Sequence, residues 1–157
     1  FEGTIRENIT LRDEQISLEA IEKATKMVGL HEYIIGLEKG YDTFIGVAGT
    51  SLSFGQSQLL SLARAIVSDP ALLLLDEPTS GMDAVTEATI FSAFRNISKD
   101  RTLITISHRL SGIVDADEVH IMASGRIVQS GTPEKLAGES GWYSVFHQLE
   151  GLGWKMD

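Results

Sequence analysis

No cysteine occurs in these 157 residues. That excludes a disulfide framework and any thiolate metal site, and it suits the cytoplasm. Cationic side chains are also scarce: 13 Lys and Arg stand against 22 Asp and Glu, a formal net charge of −9. A nucleic-acid backbone needs a positive surface, so this balance argues against such a partner. No apolar run approaches the ~20 residues of a membrane-spanning helix. Internal repeats and low-complexity segments are missing too. The first residue is Phe rather than Met, so the chain is expected to be a piece of something longer, and the lack of a signal peptide carries no information. What remains is a globular composition, 43% hydrophobic and 22% charged, long enough for one domain with a real core.

The chain is organised around Ala71 to Asp83, A-L-L-L-L-D-E-P-T-S-G-M-D. Leu72 to Leu75 has the length of a strand buried on both faces, as in a parallel sheet. Pro78 lacks a backbone donor and biases Glu77 away from helix, so the strand stops there. Asp76 and Glu77 would then sit at the carboxyl end of a buried strand, the edge where open α/β sheets bind ligands. Asp76 is placed to hold Mg²⁺, which prefers one or two carboxylates plus substrate phosphates. Glu77 could orient or deprotonate a water aimed at a phosphate. By itself, Asp-Glu-Pro is equally well a polar strand end with a turn behind it.

Around this stretch the periodicity predicts further elements. Phe1 to Thr10 has no clear period and reads as an irregular lead-in with a turn at Gly3. Ser17 is a helix N-cap, Leu18, Ile21, Thr25 and Val28 share one face, and Gly29 ends the helix. His31 to Ile35 could be a short second helix. Gly36 to Gly49 is turn-like, with a turn at Gly40-Tyr41-Asp42. Ser53 and Gln56 fit a capping box, followed by the stripe Leu59, Leu62, Ala63, Ile66 and Val67. Ile90, Phe91, Phe94 and Ile97 mark another amphipathic helix, and Thr102 to Ile106 a strand. Strand, helix and strand with short links make a βαβ unit, expected parallel and right-handed. Glu118 to Met122 and Arg126 to Gln129 flank a hairpin turn. Thr132-Pro133-Glu134 starts a short helix, and Trp142 to Leu149 a terminal one.

Leu52-Ser53-Phe54-Gly55-Gln56 is the second constellation. A helix start has free backbone donors and the positive end of the dipole, Ser53 adds a hydroxyl, and Gly55 lets a ligand come close to the backbone. Such a start suits a phosphate, although taken alone an ordinary capped helix is the plainer reading. The order is more specific than its parts. Leu-Ser-Phe-Gly-Gln, a helix ending Ala63-Arg64-Ala65-Ile66, Asp69-Pro70, Leu-Leu-Leu-Leu-Asp-Glu-Pro-Thr-Ser, Ser80-Gly81-Met82-Asp83 and Ser107-His108-Arg109 together resemble the second half of an ATP-binding cassette (ABC) ATPase domain. The resemblance covers nearly the whole chain. Phe1 to Ile9 and Gly125 to Glu134 further resemble the exporter-type branch.

The resemblance implies an α/β fold like that of the P-loop NTPases. It would have a mostly parallel sheet core, a helical subdomain at about residues 10–50, and the rest of the cassette over 51–157. It implies ATP and Mg²⁺ as ligands, a second cassette and a transmembrane domain as partners, and a place on the cytoplasmic face of the cell membrane. Asp76 would help hold Mg²⁺, Glu77 would polarise the attacking water, and His108 would be the switch histidine near the γ-phosphate. Asp83 would belong to the D-loop that touches the other cassette, and equally to a plain helix cap. Ser53, Phe54, Gly55 and Gln56 would form the signature motif, which binds the ATP seated on the opposite cassette. His31, His120 and His147 match no motif and read as surface or packing residues, and Trp142 and Trp154 as packing residues.

Three departures from the family pattern stand out. No G-x-x-x-x-G-K-[ST] occurs here, so the phosphate-cradling loop is expected upstream and this chain alone is expected to bind MgATP feebly without turning it over. Phe54 stands where the family usually has glycine. Gly46-Val47-Ala48-Gly49 lacks the Glu-Arg pair common in exporters, in a loop that contacts the membrane domain in the family. Three rival readings are a soluble ABC ATPase of the chromosome-maintenance or mismatch-repair kind, a non-hydrolysing regulatory cassette, and a D-E-x-D/H helicase. The acidic charge and exporter-like start oppose the first, Glu77 and His108 the second, and Pro78-Thr79 with the capped signature the third.

Overall fold

The computed structural model describes residues 2–46, 49–113 and 115–151. The expectations for Val47, Ala48 and Trp154 lie outside the described residues. The chain divides into two compact units, residues 1–105 and 106–157.

The first unit opens with order where an irregular segment was expected. Strand β1 (Gly3–Thr4) runs directly into helix α1 (Ile5–Thr10). Thr4 is its N-cap: the Thr4 hydroxyl accepts from Glu7 N–H at 3.1 Å, and the Glu7 carboxylate accepts from Thr4 N–H at 2.7 Å. This capping box ties down two of the free donors at the helix start. The Thr4 N–H above all, with its hydroxyl and Arg12 assisting, holds the Glu7 carboxyl below its usual range. A two-residue strand, β2 (Phe44–Ile45), pairs antiparallel with β1.

Helix α2 (Leu18–Met27) starts at the Ser17 cap and buries Ile21, Ala24 and Thr25. It closes as expected at Gly29, whose φ of +77° suits a residue without Cβ. Gly29 N–H bonds the Lys26 carbonyl and Leu30 N–H the Thr25 carbonyl, the paired closure of a Schellman end. Helix α3 (His31–Ile35) and a 3₁₀ turn at Gly40–Asp42 follow. His31 is a packing residue, its Nδ1 2.7 Å from the Tyr41 hydroxyl, which in turn meets the buried Thr25 hydroxyl. Burial, foremost, raises the Tyr41 pKa.

Helix α4 (Phe54–Ile66) lays Leu59, Leu62, Ala63 and Ile66 into the core, with Val67 just past its end. Arg64, on the same helix, donates from Nε to the Asn8 carbonyl at 2.6 Å and from Nη2 to Asn8 Oδ1 at 3.2 Å. A cation on the last carbonyls of α1 satisfies an acceptor that the helix leaves open and complements its dipole. Strand β3 (Leu72–Asp76), helix α5 (Ala84–Ile97) and strand β4 (Thr102–Ile106) form the expected βαβ unit, with β3 and β4 paired. Thr102 N–H bonds the carbonyl of Ala71, so the two strands begin side by side and run parallel.

One expectation for β3 is corrected. Leu73 is buried and Leu75 is packed against the core, but Leu72 is 48% and Leu74 67% exposed. Side chains alternate across a strand, and only one face of this ribbon is covered by α4 and α5. On the other face Leu72, Leu74 and Ile104 meet solvent.

In the second unit β5 (Val119–Ala123) and β6 (Arg126–Gly131) form the predicted antiparallel hairpin. Its two-residue turn, Ser124-Gly125, has φ of +50° and +74°, the sign required at both positions of a type I′ turn. Helix α6 (Pro133–Gly138) has Thr132 as its cap and Pro133 at its first position. Helix α7 (Trp142–Gly151) follows. Leu110, Val119, Leu136 and Tyr143 make a small core of their own. His120 is a surface residue, with Nδ1 2.9 Å from the Ser130 hydroxyl across the hairpin, and His147 stacks against Tyr143. Trp142 was expected to pack, but it is 64% exposed and its neighbour Tyr143 takes the buried place.

Candidate functional site

The carboxylate pair lies where a rigid strand gives way to a tight turn. Asp76 is the last residue of β3, and both Asp76 and Glu77 are exposed. Glu77 has φ of +45°, a left-handed conformation uncommon for a side chain of its length. Such backbone costs on the order of 1–3 kcal/mol and persists only where its surroundings hold it. Here they do. Ser80 N–H bonds the Glu77 carbonyl at 3.1 Å and Met82 N–H the Thr79 carbonyl at 3.2 Å, while Thr79 and Met82 are buried anchors. The left-handed step ends the strand between two adjacent carboxylates.

The turn leads into α5, whose N-cap is Asp83. Its Oδ1 accepts from Val85 and Thr86 N–H at 3.0 Å each, and its Oδ2 accepts from the Thr86 hydroxyl at 2.6 Å. These bonds, the Thr86 hydroxyl first, lower the Asp83 pKa from its ordinary 3.8. The helix-cap reading of Asp83 therefore holds.

The second cluster is the start of α4. Ser53 Oγ accepts from Gln56 N–H at 3.2 Å and Gln56 Oε1 accepts from Ser53 N–H at 2.9 Å, the expected capping box. Ser57 N–H goes to the Ser53 carbonyl. The N–H groups of Phe54 and Gly55 have no intrahelical acceptor in this geometry, and with the helix dipole behind them they suit an anion. Phe54 is 58% exposed, so its ring finds room in solvent rather than in the core.

His108 belongs to the second unit and is exposed, two residues beyond β4. The Ser107 hydroxyl accepts from Arg109 N–H at 3.0 Å and donates to the Arg109 carbonyl at 2.9 Å, bracing the turn that carries His108.

The roles of two residues of this region went unread in the sequence. Thr86 is bonded to Asp83 by both hydroxyl and N–H, and the signal was an Asp N-cap followed three residues on by a hydroxyl. Arg64 anchors α4 to α1 through a carbonyl, for which sequence offers no signal. For a metal, Asp76 and Glu77 supply hard oxygen donors of the kind Mg²⁺ takes. Among the described residues no group of three or more His, Asp or Glu could hold a metal. No helix among them is long and apolar enough to cross a membrane.

Comparison with known proteins gives this geometry a family. The ABC transporter family model matches residues 2–80, just over half of the chain. The sophorolipid transporter of Starmerella bombicola is 40% identical over 157 residues, covering 98% of this chain and 12% of that protein. An uncharacterized ABC transporter ATP-binding protein of Bacillus subtilis (strain 168), YfiC, is 40% identical over 150 residues, 96% of this chain and 25% of its own. Among solved structures, a bacterial Atm1-family ABC exporter with ATP bound superimposes with a TM-score of 0.81 at 35% identity, over 96% of this chain and 26% of that one. The chain thus spans about a quarter or less of the length of these relatives. With a family model over half of it, a helix capped at Ser53, a strand ending in Asp76 and a matching fold, the chain belongs to the ABC transporter family and has the P-loop NTPase-like α/β fold of its ATPase domain.

Proposed function

We propose that this chain is the C-terminal portion of the ATPase cassette of an exporter, working on the cytoplasmic face of the cell membrane. The observation that carries the proposal is the left-handed Glu77 turn directly after Asp76, one short turn ahead of the Asp83-capped helix. In the intact protein two cassettes would pair, each presenting its signature to the ATP seated on the other, and a transmembrane domain would be coupled to them. Residues of about 10–50 would form the helical subdomain and 51–157 the remainder. No nucleic acid takes part.

Phosphoryl transfer to water is chiefly positioning and charge stabilisation. Mg²⁺, held by Asp76, supplies neutralisation of the phosphate oxygens when bound. Glu77 orients the attacking water and accepts its proton. His108 hydrogen-bonds the terminal phosphate. Ser53 and the N–H groups of Phe54 and Gly55 meet the phosphates of the ATP on the opposite cassette, Gln56 keeps Ser53 in place, and Asp83 faces the partner cassette. Without G-x-x-x-x-G-K-[ST] this chain by itself binds MgATP weakly and does not hydrolyse it.

The test is Glu77→Gln in the intact protein. Removing a positioned base costs about 10²–10⁴-fold in turnover, with MgATP affinity retained. Turnover that survives the change would remove Glu77 from this role. A non-hydrolysing regulatory cassette is the second reading, favoured by the exposed Phe54 ring at the signature. An intact protein that binds MgATP but has no turnover for Glu77→Gln to remove would establish it.

A further inference from the structure

The signature glycine has a neighbour that its motif does not disclose. Gly55 lies in the first turn of α4 with ordinary helical backbone, so its dihedral angles do not demand glycine. Space does. A Cβ on Gly55 would lie 2.5 Å from Cγ2 of Thr86, in the first turn of α5, well inside the ~3.5–4.0 Å of a carbon contact. Thr86 is not free to turn away. Its hydroxyl is held by Asp83 Oδ2 at 2.6 Å and its N–H by Asp83 Oδ1 at 3.0 Å. On a β-branched side chain the hydroxyl and methyl rotate together, so moving the methyl off Gly55 breaks the hydroxyl bond to Asp83 Oδ2 and leaves only the two backbone bonds of the α5 cap.

We propose that Thr86 is a positioning residue for ATP hydrolysis: pinned by Asp83, its methyl group sets the spacing between the first turn of α5 and the signature turn of α4. A displacement of Asp83 by a partner cassette would reach the Phe54 and Gly55 N–H groups through one methyl contact. Thr86 itself touches no nucleotide. On this view position 55 must be glycine because of α5, and not solely because a ligand approaches. The proposal rests on the ATPase reading above.

The experiment compares Gly55→Ala, Thr86→Ser and the double variant in the intact protein, measuring turnover, MgATP affinity and melting temperature. Thr86→Ser deletes Cγ2 and leaves the Asp83 bond intact. The nearest remaining Thr86 atoms to a Cβ at position 55 are then Cβ at 3.7 Å and Oγ1 at 3.8 Å, ordinary contacts. Gly55→Ala should lose about tenfold or more in turnover, the scale of a small overpacking penalty, with a smaller loss in MgATP affinity. A purely structural role would lower the melting temperature without that split. Adding Thr86→Ser should restore turnover to within about threefold of Thr86→Ser alone. A double variant as slow as Gly55→Ala would overturn the proposal. A Gly55→Cys, Thr86→Cys pair checks the contact without reference to activity. The 3.7 Å separation between Cβ positions falls within the ~3.5–4.5 Å that a disulfide spans, so oxidation should cross-link it, and failure to do so would also overturn the proposal. Failure of the ATPase reading looks different: an intact protein with no turnover for any of these variants to change.

Discussion

Two parts of the first unit are built from equally apolar sequence and end in opposite states. In the helical part, α1, α2 and α4 turn Ile5, Ile9, Ile21, Leu62 and Ala63 toward one another, each 5% exposed or less. In the β3–β4 ribbon, five leucines and Ile104 of this unit leave Leu72, Leu74 and Ile104 about half exposed or more. The helices bury a stripe and leave a polar face to solvent. The ribbon has two apolar faces, of which α4 and α5 cover one. Hydrophobicity therefore states how many faces an element is suited to bury, and topology decides how many are buried.

The largest test of that contrast is in the helical part. Ile21 is 1% exposed on α2, packed in the main cluster. Ile21→Ala should cost about 2–5 kcal/mol, the loss of transfer energy plus a cavity, read as a drop in the urea midpoint at unchanged slope. A cost below ~1 kcal/mol would mean that the helices are loosely packed and that the contrast with the ribbon is false.

A smaller test concerns the junction between ribbon and helix, where Asp83 caps α5. Because its pKa is lowered in the folded protein, the folded state binds the proton more weakly than the unfolded chain does. The Asp83 contribution is therefore fully present above its ordinary value of 3.8 and is lost as pH falls through the lower folded value. Asp83→Asn should flatten this part of the stability–pH profile, measured by urea unfolding across the acid range against the parent chain. An unaltered slope below the ordinary value would mean that the Thr86 bonds do not favour the carboxylate.

What could be read from sequence divides along the same line. Local features were legible: the Ser53–Gln56 capping box, the Gly29 helix end, the Thr132-Pro133 start and the Ser124-Gly125 turn each depend on a few adjacent residues. The α1 helix was legible too and was missed, because Thr4-Ile5-Arg6-Glu7 has the capping-box spacing but six residues are too few to show a period. Strand β2, two residues long, has no period at all. For the site, chain order pointed to Asp76, Glu77, Asp83 and the signature through family resemblance, and the geometry supports the two capped helix starts. The contact of Gly55 with Thr86 lay beyond reach, since it depends on how two helices cross and on which rotamer Asp83 imposes. So did the left-handed Glu77: Pro78 restricts the preceding residue, but the buried Thr79 and Met82 anchors hold the turn.

The smallest expected effect is the one that decides what the ribbon is for. Leu74 is 67% exposed, so Leu74→Ala should change the stability of this 157-residue chain by no more than about 0.5 kcal/mol, as for other surface sites. A run of four leucines is nevertheless costly to leave in water, and the chain spans only a quarter or less of its relatives. In the intact protein, where the outer face of the ribbon is expected to be covered, the same substitution should cost about 2–5 kcal/mol. The difference between the two measurements isolates the second face, because the inner face is common to both. A large cost in both settings would mean that the outer face is already packed in this chain, contrary to its exposure. A small cost in both would mean that the leucine run serves one face only, and that the reading of Leu72 to Leu75 as a doubly covered strand fails for the whole protein as well as for this part of it.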